Sequence, residues 1–235
     1  MLYSKNNEKF KIIKVLGKEI DLLVNYPKSK RDVDGRGEAK TEKDRALARM
    51  FGKDFFDGDR KNGYGGFNYF SKFWQPVIPT FKKYWNLNSS SKVLDVGCAK
   101  GFMLHDLREL IPGITVKGID ISEYAIENSM DSVKPFLSVC DAKKLTFDND
   151  SFDVVISINT IHNLEKEECA KALLEIERVS KGNSFITVDA YRNDEEKKRN
   201  STIASILATV GADGQIIFWD PISMINHQQE KRNTE

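Results

Sequence analysis

Three aspartates stand at or just after the ends of short apolar runs: Asp95 in Lys92-Val93-Leu94-Asp95-Val96, Asp120 in Thr115-Val116-Lys117-Gly118-Ile119-Asp120, and Asp141 after Phe136–Cys140. Gly97 and Gly101 follow Asp95 in Gly97-Cys98-Ala99-Lys100-Gly101 and allow a tight turn with close backbone approach to a ligand. A carboxylate beside that turn repels a pyrophosphate and suits a ligand carrying an ammonium group. The turn is not GxGxxG, and no GxxxxGK[ST] occurs in the chain, which sets aside the Walker A loop. Asp120 lies about 20 residues past the turn, where an acidic side chain can accept from two ribose hydroxyls. Asp141 can accept from an exocyclic amine, and the Ala142 N–H can meet a ring nitrogen. A fourth apolar run, Phe152–Ile158, ends in Asn159-Thr160-Ile161-His162-Asn163-Leu164. An unperturbed imidazole titrates near pH ~6.5, so His162 is the best candidate for a general base. The plainer alternative is a histidine that packs at the start of the next helix or bonds the backbone.

These residues need a scaffold that brings strand ends together, and the order of elements supplies one. Strands are expected at 92–96, 115–120, 136–140, 152–158 and 184–188. Helices are expected at 102–110, after a Ser122 cap, and at 166–179, where Ala170, Leu173, Leu174 and Ile176 have helical spacing. Alternation of this kind implies an α/β fold: a Rossmann-like, doubly wound, mostly parallel sheet with helices on both faces and right-handed connections. Ligands of such sheets bind beyond the carboxyl ends of the strands. Ammonium, ribose and adenine in one groove describe S-adenosyl-L-methionine.

On Val93-Leu94-Asp95-Val96-Gly97-Cys98-Ala99-Lys100-Gly101, Gly118-Ile119-Asp120-Ile121-Ser122, Cys140-Asp141-Ala142 and Phe152-Asp153-Val154-Val155, the chain resembles the class I S-adenosylmethionine-dependent methyltransferases over about residues 75–190. The resemblance implies that Asp95, Gly97, Cys98, Ala99 and Gly101 line the methionine moiety. It also implies that Asp120 binds the ribose, that Ile121 beside it belongs to the cofactor site, that Asp141 and Ala142 meet the adenine, and that the backbone at Asn159 lies near the sulfonium. Two departures stand out. The family's first motif usually has glycine where Ala99 stands, which alanine tolerates only with a negative φ. One candidate strand, Gln215–Trp219, follows residue 200, where the family usually has two.

Residues 1–90 read as an N-terminal extension: a hairpin (Phe10–Leu16 and Glu19–Val24 about Gly17-Lys18), a charged loop over 28–45, a helix near Thr41–Phe51 stopped by Gly52, and a helix near Val77–Trp85. Between the last two lies an aromatic stretch. Its Tyr64, Phe67 and Tyr69 either wall an acceptor pocket beneath a lid hinged at Gly63, Gly65 and Gly66, or simply pack under the N-terminal arm. Residues 91–220 form the cofactor-binding domain. A charged run opens at Asp194, leading into a helix with Ile203, Ile206 and Leu207, and 221–235 is a polar tail expected to be disordered.

Lysine and arginine number 36 against 35 aspartate and glutamate, a net charge of +1 that gives no general field for polyanions. Cys98, Cys140 and Cys169 are far apart and fit neither a disulfide framework nor a zinc spacing, so no metal is expected and Cys98 and Cys140 read as small buried residues. With no apolar run long enough for a bilayer and no apolar leader at the N-terminus, a cytoplasmic location without membrane contact is expected. Nucleic-acid amino-methyltransferases of this fold often carry Asn/Asp-Pro-Pro-aromatic after the fourth strand, where this chain has Asn159-Thr160-Ile161-His162. The expected function is methyl transfer from S-adenosyl-L-methionine to a small-molecule acceptor. An RNA or protein methyltransferase and a cofactor-binding but inactive module are the alternatives. The sequence is silent on oligomeric state.

Overall fold

The computed structural model describes residues 20–27, 41–187 and, as backbone, 215–217. The first hairpin strand, most of the charged loop, the helix expected about Ile203 and the polar tail lie outside the described residues. The chain divides into two compact units, Leu22–Ala142 and Met1–Asp21 with Lys143–Glu235.

In the first unit, α1 (Glu42–Arg49) starts at Thr41 with a capping box. The Thr41 hydroxyl accepts from the Asp44 N–H at 3.2 Å, and the Asp44 carboxylate accepts from the Thr41 N–H at 3.0 Å. Gly52, expected to stop this helix, instead precedes a second short one, α2 (Lys53–Phe56); the chain leaves α1 through Phe51 at φ +48°. Ser71–Trp74 forms α3 inside the aromatic stretch, and α4 (Ile78–Trp85) ends at left-handed Asn86. The second half of the expected hairpin is not a strand where it is described. Leu22 and Leu23 are both buried, which breaks in-out alternation, and the chain turns at once through a bond from the Tyr26 N–H to the Leu23 carbonyl.

The strands β1 (Lys92–Val96), β2 (Thr115–Asp120) and β3 (Leu137–Val139) run parallel in the order β3-β2-β1. Parallel strands need crossovers, supplied by α5 (Phe102–Leu110) and α6 (Glu123–Glu127). The α5 helix buries Met103, Leu104 and Leu107. Gly118 marks its closest approach to β2: a Cβ there would lie 2.7 Å from Leu104, 2.6 Å from Leu137 and 2.8 Å from the Cys98 sulfur. Ser122 caps α6, accepting from the Ala125 N–H at 3.0 Å. The third strand is shorter than expected because Lys134–Phe136, containing Pro135, is wound into a 3-10 turn.

In the second unit, β4 (Val154–Ile158), β5 (Asn183–Thr187) and β6 (Gln215–Ile217) are parallel, in that order. A 3-10 turn, Ile161–Asn163, follows β4, and α7 (Lys166–Val179) leads to β5. The α7 helix buries Cys169, Ala172, Leu173, Ile176 and Val179, one helical face. Its Arg178 donates to the Leu145 and Phe147 carbonyls while Glu175 accepts from the Leu145 N–H, which pins the segment before β4 to the helix. Parallel strands joined by helices make this the Rossmann-like α/β fold expected from the sequence.

Candidate cofactor site

In the first unit the parallel strands bring the ends of β1, β2 and β3 to one edge, and the loop Gly97–Gly101 crosses from β1 to α5 there. Its backbone is left-handed at three alternate positions: Gly97 (φ +86°), Ala99 (φ +49°) and Gly101 (φ +78°). The negative φ expected at Ala99 is therefore not found. An L-residue in this region costs roughly 1–2 kcal/mol, so the surroundings must hold it. They do so through hydrogen bonds. The Gly97 and Cys98 N–H groups donate to the Ile119 carbonyl at 2.8 and 2.9 Å, and the Ala99 N–H donates to Asp120 Oδ2 at 2.8 Å. The other Asp120 oxygen accepts from the Ser122 N–H at 2.9 Å. Asp120 thus ties the loop to the start of α6. The Ile121 N–H is a third backbone donor to this carboxylate, which keeps acceptor capacity beyond its three amides. Burial raises its pKa, opposed by its backbone donors.

Asp95 is differently placed. It is 5% exposed, and among the described residues no donor reaches its carboxylate. Burial, and then the charge of Asp120, pushes its pKa up to about 8. A buried carboxylate without a donor is costly unless a ligand supplies the partner. Cys98 is buried behind it. Burial, with the two carboxylates adding to it, pushes the thiol well above its usual range, so it is no nucleophile at neutral pH. Ile121, the residue after Asp120, is 55% exposed and offers an apolar face. The Cys140 N–H donates to the Asp120 carbonyl at 2.9 Å, carrying half-buried Asp141 and Ala142 to the same edge. Cys140 itself is only half-buried, not a core residue as expected.

The aromatic stretch is tethered by hydrogen bonds. The Tyr64 and Gly66 N–H groups donate to the Phe55 and Phe56 carbonyls, Arg60 donates to the Gly63 and Tyr64 carbonyls, and a Cβ on Gly63 would lie 2.1 Å from the Phe55 oxygen. Tyr64 packs on Phe67, Phe67 stacks on Phe102 at 4.9 Å, and the Tyr69 hydroxyl donates to buried Asp106 at 2.6 Å. The segment is a strap packed on α5. Two residues that sequence reasoning passed over complete it. The Lys100 ammonium is buried in an ion pair with Asp57 at 2.6 Å and donates to the Phe67 carbonyl at 3.0 Å. No spacing links residues 57 and 100; the only sequence signal is a lysine within a glycine turn.

In the second unit, Asn159 ends β4 at φ +52°. Its N–H donates to the Thr187 carbonyl and its side-chain oxygen accepts from the Thr187 hydroxyl at 3.0 Å. His162 is half-buried on the 3-10 turn that follows. Among the described residues, no three acidic, histidine or cysteine side chains converge on a metal site, and no helix is long and apolar enough to cross a membrane.

Residues 87–232, more than half of the chain, match the family described as a methyltransferase domain. The chain belongs to the class I S-adenosylmethionine-dependent methyltransferases. S-adenosyl-L-methionine is the cofactor of that family. Among curated proteins, a malonyl-[acyl-carrier protein] O-methyltransferase of Bacillus anthracis is 29% identical over 84 residues. That similarity covers 34% of this chain and 31% of the relative, so the chain spans about a third of the length of the relative it matches. A solved protein of Pyrococcus horikoshii is 34% identical, covering 44% of this chain and 50% of that one, with a TM-score of 0.40. A Methanococcus maripaludis protein assigned as an S-adenosyl-L-methionine-dependent methyltransferase is 16% identical, covering 57% and 62%, with a TM-score of 0.43.

Proposed function

We propose that this methyltransferase-family chain binds S-adenosyl-L-methionine at the β1–β3 edge and transfers its methyl group to a small acceptor. The observation that carries the reading is Asp95, a buried carboxylate with no donor among the described residues. The chemistry of the donor set fits the cofactor. Asp95 would take the cationic methionine end, opened to it by the Gly97, Cys98, Ala99 and Gly101 loop. Asp120, with acceptor capacity left beyond its backbone donors, would take the ribose. Exposed Ile121 would meet the base, and Asp141 with the Ala142 N–H would meet its polar edge. Bound there, S-adenosyl-L-methionine supplies a methyl group already activated on a sulfonium. The protein then has to align, desolvate and position the reactants. Where the acceptor must lose a proton, His162 is the proposed base, and Asn159, its side chain fixed by Thr187, is the proposed orienting residue. The name of the Bacillus anthracis relative, an O-methyltransferase, supports an oxygen acceptor. Residues 91–220 are the proposed transferase domain and 1–90 its extension.

The test is calorimetric titration of S-adenosyl-L-methionine, with Asp95→Asn as the control. Asp120→Ala would be the poorer control, because Asp120 also holds the loop. Saturable one-site binding, weakened in Asp95→Asn, is expected. A folded wild-type protein that shows no binding would sink the transferase reading.

A further inference from the structure

We infer that Asp57 and Lys100 are positioning residues of the cofactor site, a latch through which the N-terminal strap holds the Gly97–Gly101 loop in its left-handed form. The inference rests on the cofactor reading above.

The loop is tied on one side by β2, through the Ile119 carbonyl and the Asp120 carboxylate. The side-chain tie away from β2 is Lys100. Lysine is almost never buried without a partner, yet this side chain is 8% exposed. It spends its charge on Asp57 at 2.6 Å and a further hydrogen bond on the Phe67 carbonyl at 3.0 Å. Asp57 is a hub. One oxygen accepts from the Phe67 N–H at 2.9 Å, and the other accepts from Lys100 and from the Tyr124 hydroxyl at 2.7 Å. Burial pushes Asp57 up, but Lys100, Phe67 and Tyr124 together bring its pKa below the ordinary value, so it is ionised at neutral pH.

Three elements meet in this cluster: the strap at Asp57 and Phe67, the loop at Lys100, and α6 at Tyr124, two residues beyond Ser122. Lys100 adjoins Ala99, the loop's strained non-glycine position. With the latch closed, Ala99 is held from both sides, by Asp120 on its N–H and by Lys100 through the chain. The Lys100 ammonium pairs with Asp57 and the Phe67 carbonyl, and among the described residues no ion pair joins it to Asp95 or Asp120. Opening the latch would leave half-buried Asp57 without its cation and let Ala99 relax, so the site would no longer be formed before the ligand arrives.

Lys100→Met, Lys100→Arg and Tyr124→Phe test this against wild type by two measurements. Hydrogen exchange of the cofactor-free protein follows the Ala99 and Phe67 amides, and calorimetry follows S-adenosyl-L-methionine. Lys100→Met is expected to weaken the cofactor roughly tenfold or more and to speed Ala99 exchange by a similar factor. Lys100→Arg should recover most of both, and Tyr124→Phe should weaken binding about threefold. A folded Lys100→Met with wild-type affinity and wild-type Ala99 protection overturns the latch, whatever its melting temperature. Should Lys100→Met fail to fold, unchanged affinity and protection in Tyr124→Phe overturn it instead. If wild type itself binds nothing, the cofactor reading falls and Ala99 exchange alone decides the latch.

Discussion

Ala99 is held in the left-handed region by Asp120, whose Oδ2 accepts its N–H at 2.8 Å across 21 residues of sequence. Ala99→Gly relieves a strain of roughly 1–2 kcal/mol and gives back part of it as unfolded-chain entropy. The variant should be more stable than wild type by up to about 1 kcal/mol in urea unfolding. A less stable glycine variant would mean that Ala99 is not strained.

Asp120→Asn tests the same contact from the other end. Asparagine has one acceptor oxygen where aspartate uses two, for Ala99 and Ser122. One amide is then left facing an NH₂ group, at a cost of about 1–3 kcal/mol. Denaturant unfolding without cofactor should detect this loss; unchanged stability would remove Asp120 as the loop's anchor.

Asp95 should make the protein respond to pH. Its folded value of about 8 lies far above the ~3.9 of an unfolded aspartate. Between those values the folded state keeps a proton that the unfolded chain has released, so stability of the cofactor-free protein falls as pH rises through that window. Asp95→Asn should flatten the fall. Cofactor affinity should run the opposite way, because the cation needs the ionised carboxylate. It should strengthen toward pH 8 by up to about tenfold per unit, with proton uptake by the buffer visible in calorimetry. Affinity independent of pH from 6 to 8 would show that Asp95 does not take the cation.

Tyr69 should matter for stability through Asp106. Asp106 is fully buried, accepts from Tyr69 at 2.6 Å and from Gln75 at 3.3 Å on one oxygen, and has no partner for the other among the described residues. Burial already raises its pKa. Tyr69→Phe removes the stronger donor and should cost about 1–3 kcal/mol near neutrality. The loss should shrink as the pH falls through the raised Asp106 pKa, since the neutral acid needs the donor less. A variant as stable as wild type across the pH range would leave Tyr69 available for an acceptor.

His162→Ala separates a base from a packing residue. With an acceptor that must lose a proton, kcat should fall roughly 10²-fold or more while cofactor affinity stays put. Unchanged turnover would return His162 to a structural role.

The β1, β2 and α5 boundaries and that of α7 could be read directly from the sequence, because short apolar stretches and helical spacing are local signals. So were Asp95, Asp120 and Asp141 as candidates, since each ends or follows such a run. The hairpin at 19–24 failed because Leu22 and Leu23 are both buried, which alternation does not anticipate. Gly52 was misjudged for a related reason: glycine is as serviceable before a helix as after one. Local chemistry said nothing of the Asp57–Lys100 pair, the Tyr69–Asp106 bond or the left-handed Ala99. Each depends on groups 21 to 43 residues apart meeting with their charges or donors out of water. Sequence determined which residue types stand at the strand ends. Tertiary packing decided which carboxylates would be spent on the protein's own amides and ammonium, and which, at Asp95, would be buried with no donor among the described residues.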